Sequence, residues 1–176
     1  GGRFRAAQRR QHRGAARGRR ARAESGKLLS SAPLYGYRWA DAERTRYEPD
    51  PETAPVVRRI FALALQGLGV TAIADALTAD GIPTPYGKAR WSLTTVWRIL
   101  TNRSYTGEAR AFTWRRRTSG KRSYRREWQA GVALPPGVVP PLIDPASFAA
   151  VQEGLRLNRL RSARRNRSPE LWLLRG

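Results

Sequence analysis

Apolar residues in the middle of the chain recur at helical spacing. Val57, Ile60, Phe61 and Ala64 stand at i, i+3, i+4 and i+7, the stripe of an amphipathic helix. Asp50-Pro51 precedes them, with Asp suited to the N-cap and Pro to the first helical position. Gly67 and Gly69 end that helix. Thr71 is placed to cap a second one, in which Ile73, Ala74 and Leu77 face inward and Gly81 is a natural stop. Ser92 is the cap of a third, and Trp91 before it is placed to staple onto Val96. At about 100° per residue, Leu93, Val96, Trp97 and Leu100 fall on one side of that helix. Thr94, Thr95, Arg98 and Asn102 fall on the other. The apolar side is expected to face a core. The opposite side carries groups able to hydrogen-bond base edges or phosphates.

Three helices in this order predict a helix-turn-helix-like core. The link from Gly81 to Ser92 is longer than the three or four residues of a tight turn, so a plain repressor domain fits poorly. Elsewhere the pattern shortens toward strands. Tyr37 to Tyr47 predicts a short hairpin around Asp41–Arg44. The alternation in EARAFTW, after Tyr105-Thr106-Gly107, predicts a strand. Arg115-Arg116-Arg117, then Ser119-Gly120-Lys121-Arg122, predict the tip of a basic hairpin that returns through Tyr124–Trp128. Leu134–Leu142 reads as a Pro-rich loop. Asp144-Pro145 repeats the start signal, and Phe148, Val151, Gln152 and Leu155 mark a further helix. Residues 3–25, rich in Ala and Arg, read as a marginal helix that a polyanion would order. The fold class expected is α+β, mainly helical, with a basic β-hairpin and a basic N-terminal helical arm. The expected divisions are a basic helical linker over residues 1–27, a domain over 28–158 and a second basic linker over 159–176.

Charge changes this picture most. The 176 residues hold 34 Lys and Arg against 13 Asp and Glu, a net charge of +21. Residues 1–27 carry +9, residues 103–128 carry +7 and residues 154–176 carry +6, whereas 28–102 carry +1 and 129–153 carry −2. A nearly neutral core flanked by cationic arms points to a polyanionic partner, since a merely solvated surface mixes its signs. No apolar run approaches the ~20 residues that span a bilayer, and no signal-peptide core is present. A soluble, cytoplasmic protein is expected. Zero cysteines exclude disulfides and thiolate chemistry, and the single histidine, His12, leaves no zinc site of the usual kind. The Gly-Gly start and the absence of Met suggest a piece of a longer chain.

The candidate contacts follow from the helix and the charge. Arg98 and Asn102 are the best placed to read bases, and Thr94, near the helix start, suits a phosphate. Ser92 and Thr95 share that end of the helix. Lys88, Arg90 and Arg103 flank it. Arg115, Arg116, Arg117, Lys121 and Arg122 are expected to neutralise phosphates, as are Arg19, Arg20 and Arg22 of the arm. Tyr35, Tyr37, Trp91 and Trp97 are read as core or hinge rather than as stacking platforms. Catalysis finds no comparable support. Glu48, Asp50 and Glu52 form the densest acidic cluster, but Asp50 serves as a cap and Glu52 favours the positive end of the same helix. No serine lies in a recognisable nucleophile motif, and Gly67-Leu68-Gly69 is too short to cradle a phosphate.

The segments SGKLLSSAPLYGYRW, PETAPVVRRIFALALQGLGVTAIADALTADGIPTPYGKARWSLTTVWRILTNRSYTG and LIDPASFAAVQEGL, in that order, resemble the recombinase domain of large serine recombinases. These are the phage integrases and their transposon-encoded relatives. The resemblance implies binding of double-stranded DNA at one half of an attachment site, with the third helix in the major groove and the arms along neighbouring grooves. It implies that the nucleophilic serine lies in an N-terminal domain outside this chain. It also implies that zinc belongs only to a downstream ribbon, with no cofactor here, and that dimers or tetramers form through those other domains. This stretch is then expected to bind DNA and cut nothing. Two positions depart from the family pattern: Leu34 stands for the usual Pro before Tyr-Gly-Tyr, and Arg103 for the Pro after Asn102. Two other readings compete, a ribosomal-type RNA-binding protein and a transcription regulator with a long inter-helix loop. Duplex RNA hides its major groove from side chains, which weakens the first.

Overall fold

The computed structural model describes residues 32–119, 123–128 and 130–161, together with Gly18, Ala21, Ala23 and Ser25. These divide between two units, one within residues 1–56 and 103–142 and the other within residues 57–102 and 143–176.

The first unit is built on aromatic residues and short antiparallel ladders. Strands β1 (Tyr37–Trp39) and β2 (Tyr47–Pro49) pair with Trp39 opposite Tyr47. The turn between them is closed by Asp41, whose carboxylate accepts from the Thr45 amide at 2.8 Å. Arg44 there takes a left-handed φ of 58° and sets its guanidinium over the Trp39 ring. Tyr37 stacks on Tyr47 and on Tyr105, at centroid distances of 5.6 and 6.0 Å. The buried phenols find carbonyls, as buried polar groups must. Tyr37 donates to Pro140 O at 2.7 Å and Tyr105 to Tyr35 O at 2.9 Å. Burial pushes the Tyr105 phenol far up, so it remains a proton donor.

Two details depart from the sequence expectation in this unit. The predicted EARAFTW strand is broken. Arg110–Ala111 (β3) pairs with Val132–Ala133 (β6), Phe112 turns with φ 56°, and Trp114–Ser119 (β4) joins a different ladder with Ser123–Trp128 (β5). One segment serves two partners, so the alternation cannot run through. Gly131 makes the closure possible, because its φ is 64° and any Cβ there would clash with Ala111 O. The Pro-rich stretch is more than a connection. Val138, Val139 and Leu142 are buried in it, and backbone bonds tie it to Tyr47 and Tyr105.

The second unit is helical. Helix α1 (Ala54–Leu65) buries Val57, Ile60 and Phe61. It begins three residues beyond Pro51, after a turn in which Thr53 donates to the Asp50 carboxylate and the Ala54 amide to Asp50 O. Asp50 therefore organises the start as expected, but Pro51 precedes the regular helix. Helix α2 (Val70–Ala79) buries Ile73, Ala74 and Leu77. Its N-cap is Gly69 and no side chain caps it, so Thr71 does not take the role the sequence suggested. Gly81, with φ 65°, ends it: its amide donates to Thr78 O and that of Ile82 to Leu77 O, a Schellman closure. An exposed ion pair joins Arg59 of α1 to Asp80. Helix α3 (Leu93–Leu100) packs on α2 and on α4 (Pro145–Arg161). Asp144 caps α4 by accepting from the Ser147 amide at 2.8 Å, and hydrogen bonds from the Ser147 side chain and amide hold its carboxyl below the ordinary range. Phe148 and Val151 are buried, and the Gln152 amide donates to Leu100 O at 2.7 Å, satisfying a carbonyl that the end of α3 leaves unpaired. Among the described residues, no helix is long and apolar enough to cross a membrane.

Candidate nucleic-acid interface

The segment from Ile82 to Asn102 builds one cationic surface of the second unit. Its loop is a closed structure. Thr84 Oγ1 accepts from the Lys88 amide at 2.6 Å and donates to Lys88 O at 3.0 Å, while Gly87 takes the left-handed φ the turn needs. Trp91 anchors the far end. Its amide donates to Thr78 Oγ1 at 3.0 Å and its indole N–H to Ile82 O at 2.9 Å, so the buried ring clamps the loop to α2. Lys88 and Arg90 thus stand exposed on a fixed backbone.

Ser92 then starts α3. Its Oγ accepts from the Thr95 amide at 3.1 Å and lies 2.8 Å from Thr95 Oγ1. These two hydroxyls serve the helix start first. Ser92→Ala should cost about 1 kcal/mol of stability, within the 0.5–2 kcal/mol range of lost caps, read by urea unfolding. Val96, Ile99 and Leu100 form the buried face. The sequence-based wheel was turned by about 60° from this. Leu93 and Trp97, expected inside, are 50% and 53% exposed, and Ile99, assigned to neither side, is buried. The reason lies in the neighbours: α3 packs on α2 and α4 through the side that carries Val96, Ile99 and Leu100, and no described residue covers Leu93 and Trp97.

The outer face therefore carries Leu93, Thr94, Trp97 and Arg98, all exposed, with Asn102 half-buried at its end. Arg98, Lys88 and Arg90 pair with no described residue. Arg59 and Arg156 of the same unit do pair, with Asp80 and Glu153. Three described cations of the first unit are also taken up: Arg38 meets Glu48 at 2.7 Å, Arg103 meets Glu108 at 3.4 Å and Arg110 donates to Ala130 O at 2.6 Å.

The basic hairpin is β4 with β5. Its register sets Arg116 opposite Arg126 and Arg117 opposite Arg125, with Arg115 opposite Glu127. Lys121 and Arg122 at its tip, and Arg19, Arg20 and Arg22 of the arm, lie outside the described residues. Of the acidic cluster, Glu48 is taken up by Arg38 and Asp50 by Thr53.

The profile of the Recombinase family matches residues 51–158, more than half of the chain, and takes in the loop, α3 and the hairpin. The chain belongs to the Recombinase family. A proposed DNA recombinase of Bacillus subtilis (strain 168) is 33% identical to this recombinase-family chain over 100 residues, which are 54% of this chain and 20% of that protein. Among solved structures, an LSR–DNA complex superposes with a TM-score of 0.56 at 22% identity, over 81% of this chain and 38% of the other. A structure concerned with the sequence requirements of the Listeria innocua prophage attP site gives the same score and identity, over 80% of this chain and 50% of that one. At that identity the likeness is one of fold. The chain spans half or less of the length of each of these proteins.

Proposed function

We propose that this chain binds duplex DNA sequence-specifically, as the recombinase domain of a large serine site-specific recombinase. The reading is carried by one observation: Arg98, which pairs with no described residue, stands on the exposed face of a capped helix whose opposite face is locked into the core. Helix α3 enters the major groove, where Arg98 reads guanine and Thr94 approaches a phosphate. Lys88 and Arg90 engage the backbone at the helix entry, and the β4–β5 hairpin follows a neighbouring stretch of phosphates. Strand cleavage is assigned to no residue of this stretch. The protein acts in the cytoplasm, on the attachment site of an integrating element. The family membership and the structural likeness to an LSR–DNA complex support this reading.

The test is a comparison of substrates and variants. A duplex selected by this chain from a randomised DNA pool should bind far more tightly than duplex RNA, whose narrow major groove excludes the helix. Arg98→Ala should lose ~1–3 kcal/mol on the selected duplex and much less on random DNA. Arg116→Ala should weaken both about equally. Equal affinity for duplex RNA, or a neutral Arg98→Ala on the selected site, refutes the groove assignment.

A further inference from the structure

The outer face of α3 holds two apolar side chains where a phosphate-binding helix would be polar throughout. Leu93 and Trp97 stand one turn apart on that face, and Val96, Ile99 and Leu100 already supply the contact with the fold. A single exposed apolar residue is ordinary. Two of them at i and i+4, one a tryptophan followed directly by Arg98, form a surface suited to a partner.

The surroundings decide which partner. Trp97 is the immediate neighbour of Arg98, and Lys88 and Arg90 of the same segment pair with no described residue. An apolar protein surface laid over this patch would bury cations without counter-charge, which is costly. The major groove of duplex DNA offers both chemistries at once: phosphates along its rims and, on its floor, the 5-methyl group of thymine. The turn that carries Trp97 is firmly held, since Trp97 O accepts from the Thr101 amide at 3.0 Å and from Thr101 Oγ1 at 2.8 Å. An indole also brings a large rigid face at little conformational cost.

We infer that Trp97, with Leu93 beside it, reads thymine by packing on 5-methyl groups at the floor of the major groove. This rests on the assignment of α3 as the groove helix and adds a base preference to it. Arg98 reads guanine through hydrogen bonds, and Trp97 reads the apolar feature that only thymine presents.

The experiment removes that methyl alone. A duplex is selected by this chain from a randomised pool, and each thymine is replaced singly by deoxyuridine, which keeps the pairing and the groove acceptors. With the native chain, at least one replacement should weaken binding about fourfold, the worth of one buried methyl-sized group. Trp97→Ala should bind the thymine and deoxyuridine duplexes equally. Arg98→Ala, weaker overall, should retain the preference for thymine. Trp97→Gln repeats the test with a side chain of greater bulk, and circular dichroism checks that each variant keeps the native fold. Equal binding of both duplexes by the native chain, a selected site without thymine, or a preference that survives Trp97→Ala overturns the inference and leaves groove binding standing. Failure of the native chain to bind any duplex saturably overturns the groove assignment itself.

Discussion

Raising monovalent salt from 50 to 200 mM should weaken binding of this chain to duplex DNA about a thousandfold, if about six phosphates are neutralised. Each phosphate met by a cation releases condensed counterions, and salt opposes that release. The net charge of +21 supplies more than enough cations for such a count. Their state matters as much as their number. A guanidinium already paired with a carboxylate gains less from a phosphate than one held free on a rigid segment. Lys88, Arg90 and Arg98 meet no carboxylate among the described residues, whereas Arg38, Arg59 and Arg156 are paired. A titration at four or five salt concentrations gives the slope directly. Arg116→Ala should lower its magnitude by about one. A slope near zero would remove the polyanion as partner, whatever the family of the chain.

Phe61→Ala should destabilise the helical unit by about 3–5 kcal/mol, the usual cost of emptying a buried phenylalanine site. Phe61 is 1% exposed, and its ring lies 6.1 Å from that of Phe148, tilted by 34°. It therefore joins α1 to α4, and Val57 and Ile60 pack from the same stripe. Against a typical total of 5–15 kcal/mol, such a loss takes a large share of the folding free energy. Urea unfolding followed by circular dichroism reads the change, and duplex binding should fall once the unfolded population grows. Trp97→Ala is the control. It removes a larger side chain from an exposed position and should move stability by no more than about 0.5 kcal/mol. A small cost at Phe61 with a large one at Trp97 would mean that the buried face of α3 has been misplaced.

The helical elements were legible because their signals are local. Asp144 with Pro145, Ser92 with Thr95, and Gly81 in a left-handed conformation each satisfy the ends of their own helix with residues a few positions away. Such bonds depend on nearest neighbours along the chain and survive any tertiary arrangement. Two such readings missed by a few residues. Gly69 rather than Thr71 precedes α2, and α1 begins after a turn that Asp50 closes. The strands were less legible. EARAFTW alternates as one strand should, yet β3 and β4 belong to separate ladders, because the residues that pair with them come from different parts of the chain. The Pro-rich stretch had no periodicity to announce Val138, Val139 and Leu142 as core.

The sequence by itself determined the order of the four helices among the described residues, the caps at Gly81, Ser92 and Asp144, the basic hairpin and the cationic character of the whole. All of these rest on contiguous residues or on summed charge. Only the tertiary structure decided which side of α3 is buried and which of the described cations meet a carboxylate. An apolar side chain on a helix is equally suited to a core and to a binding surface, and its fate depends on what packs beside it. Leu93 and Trp97 look like core residues in one dimension. They lie outside because α3, packed on α2 and α4, turns Val96, Ile99 and Leu100 inward instead.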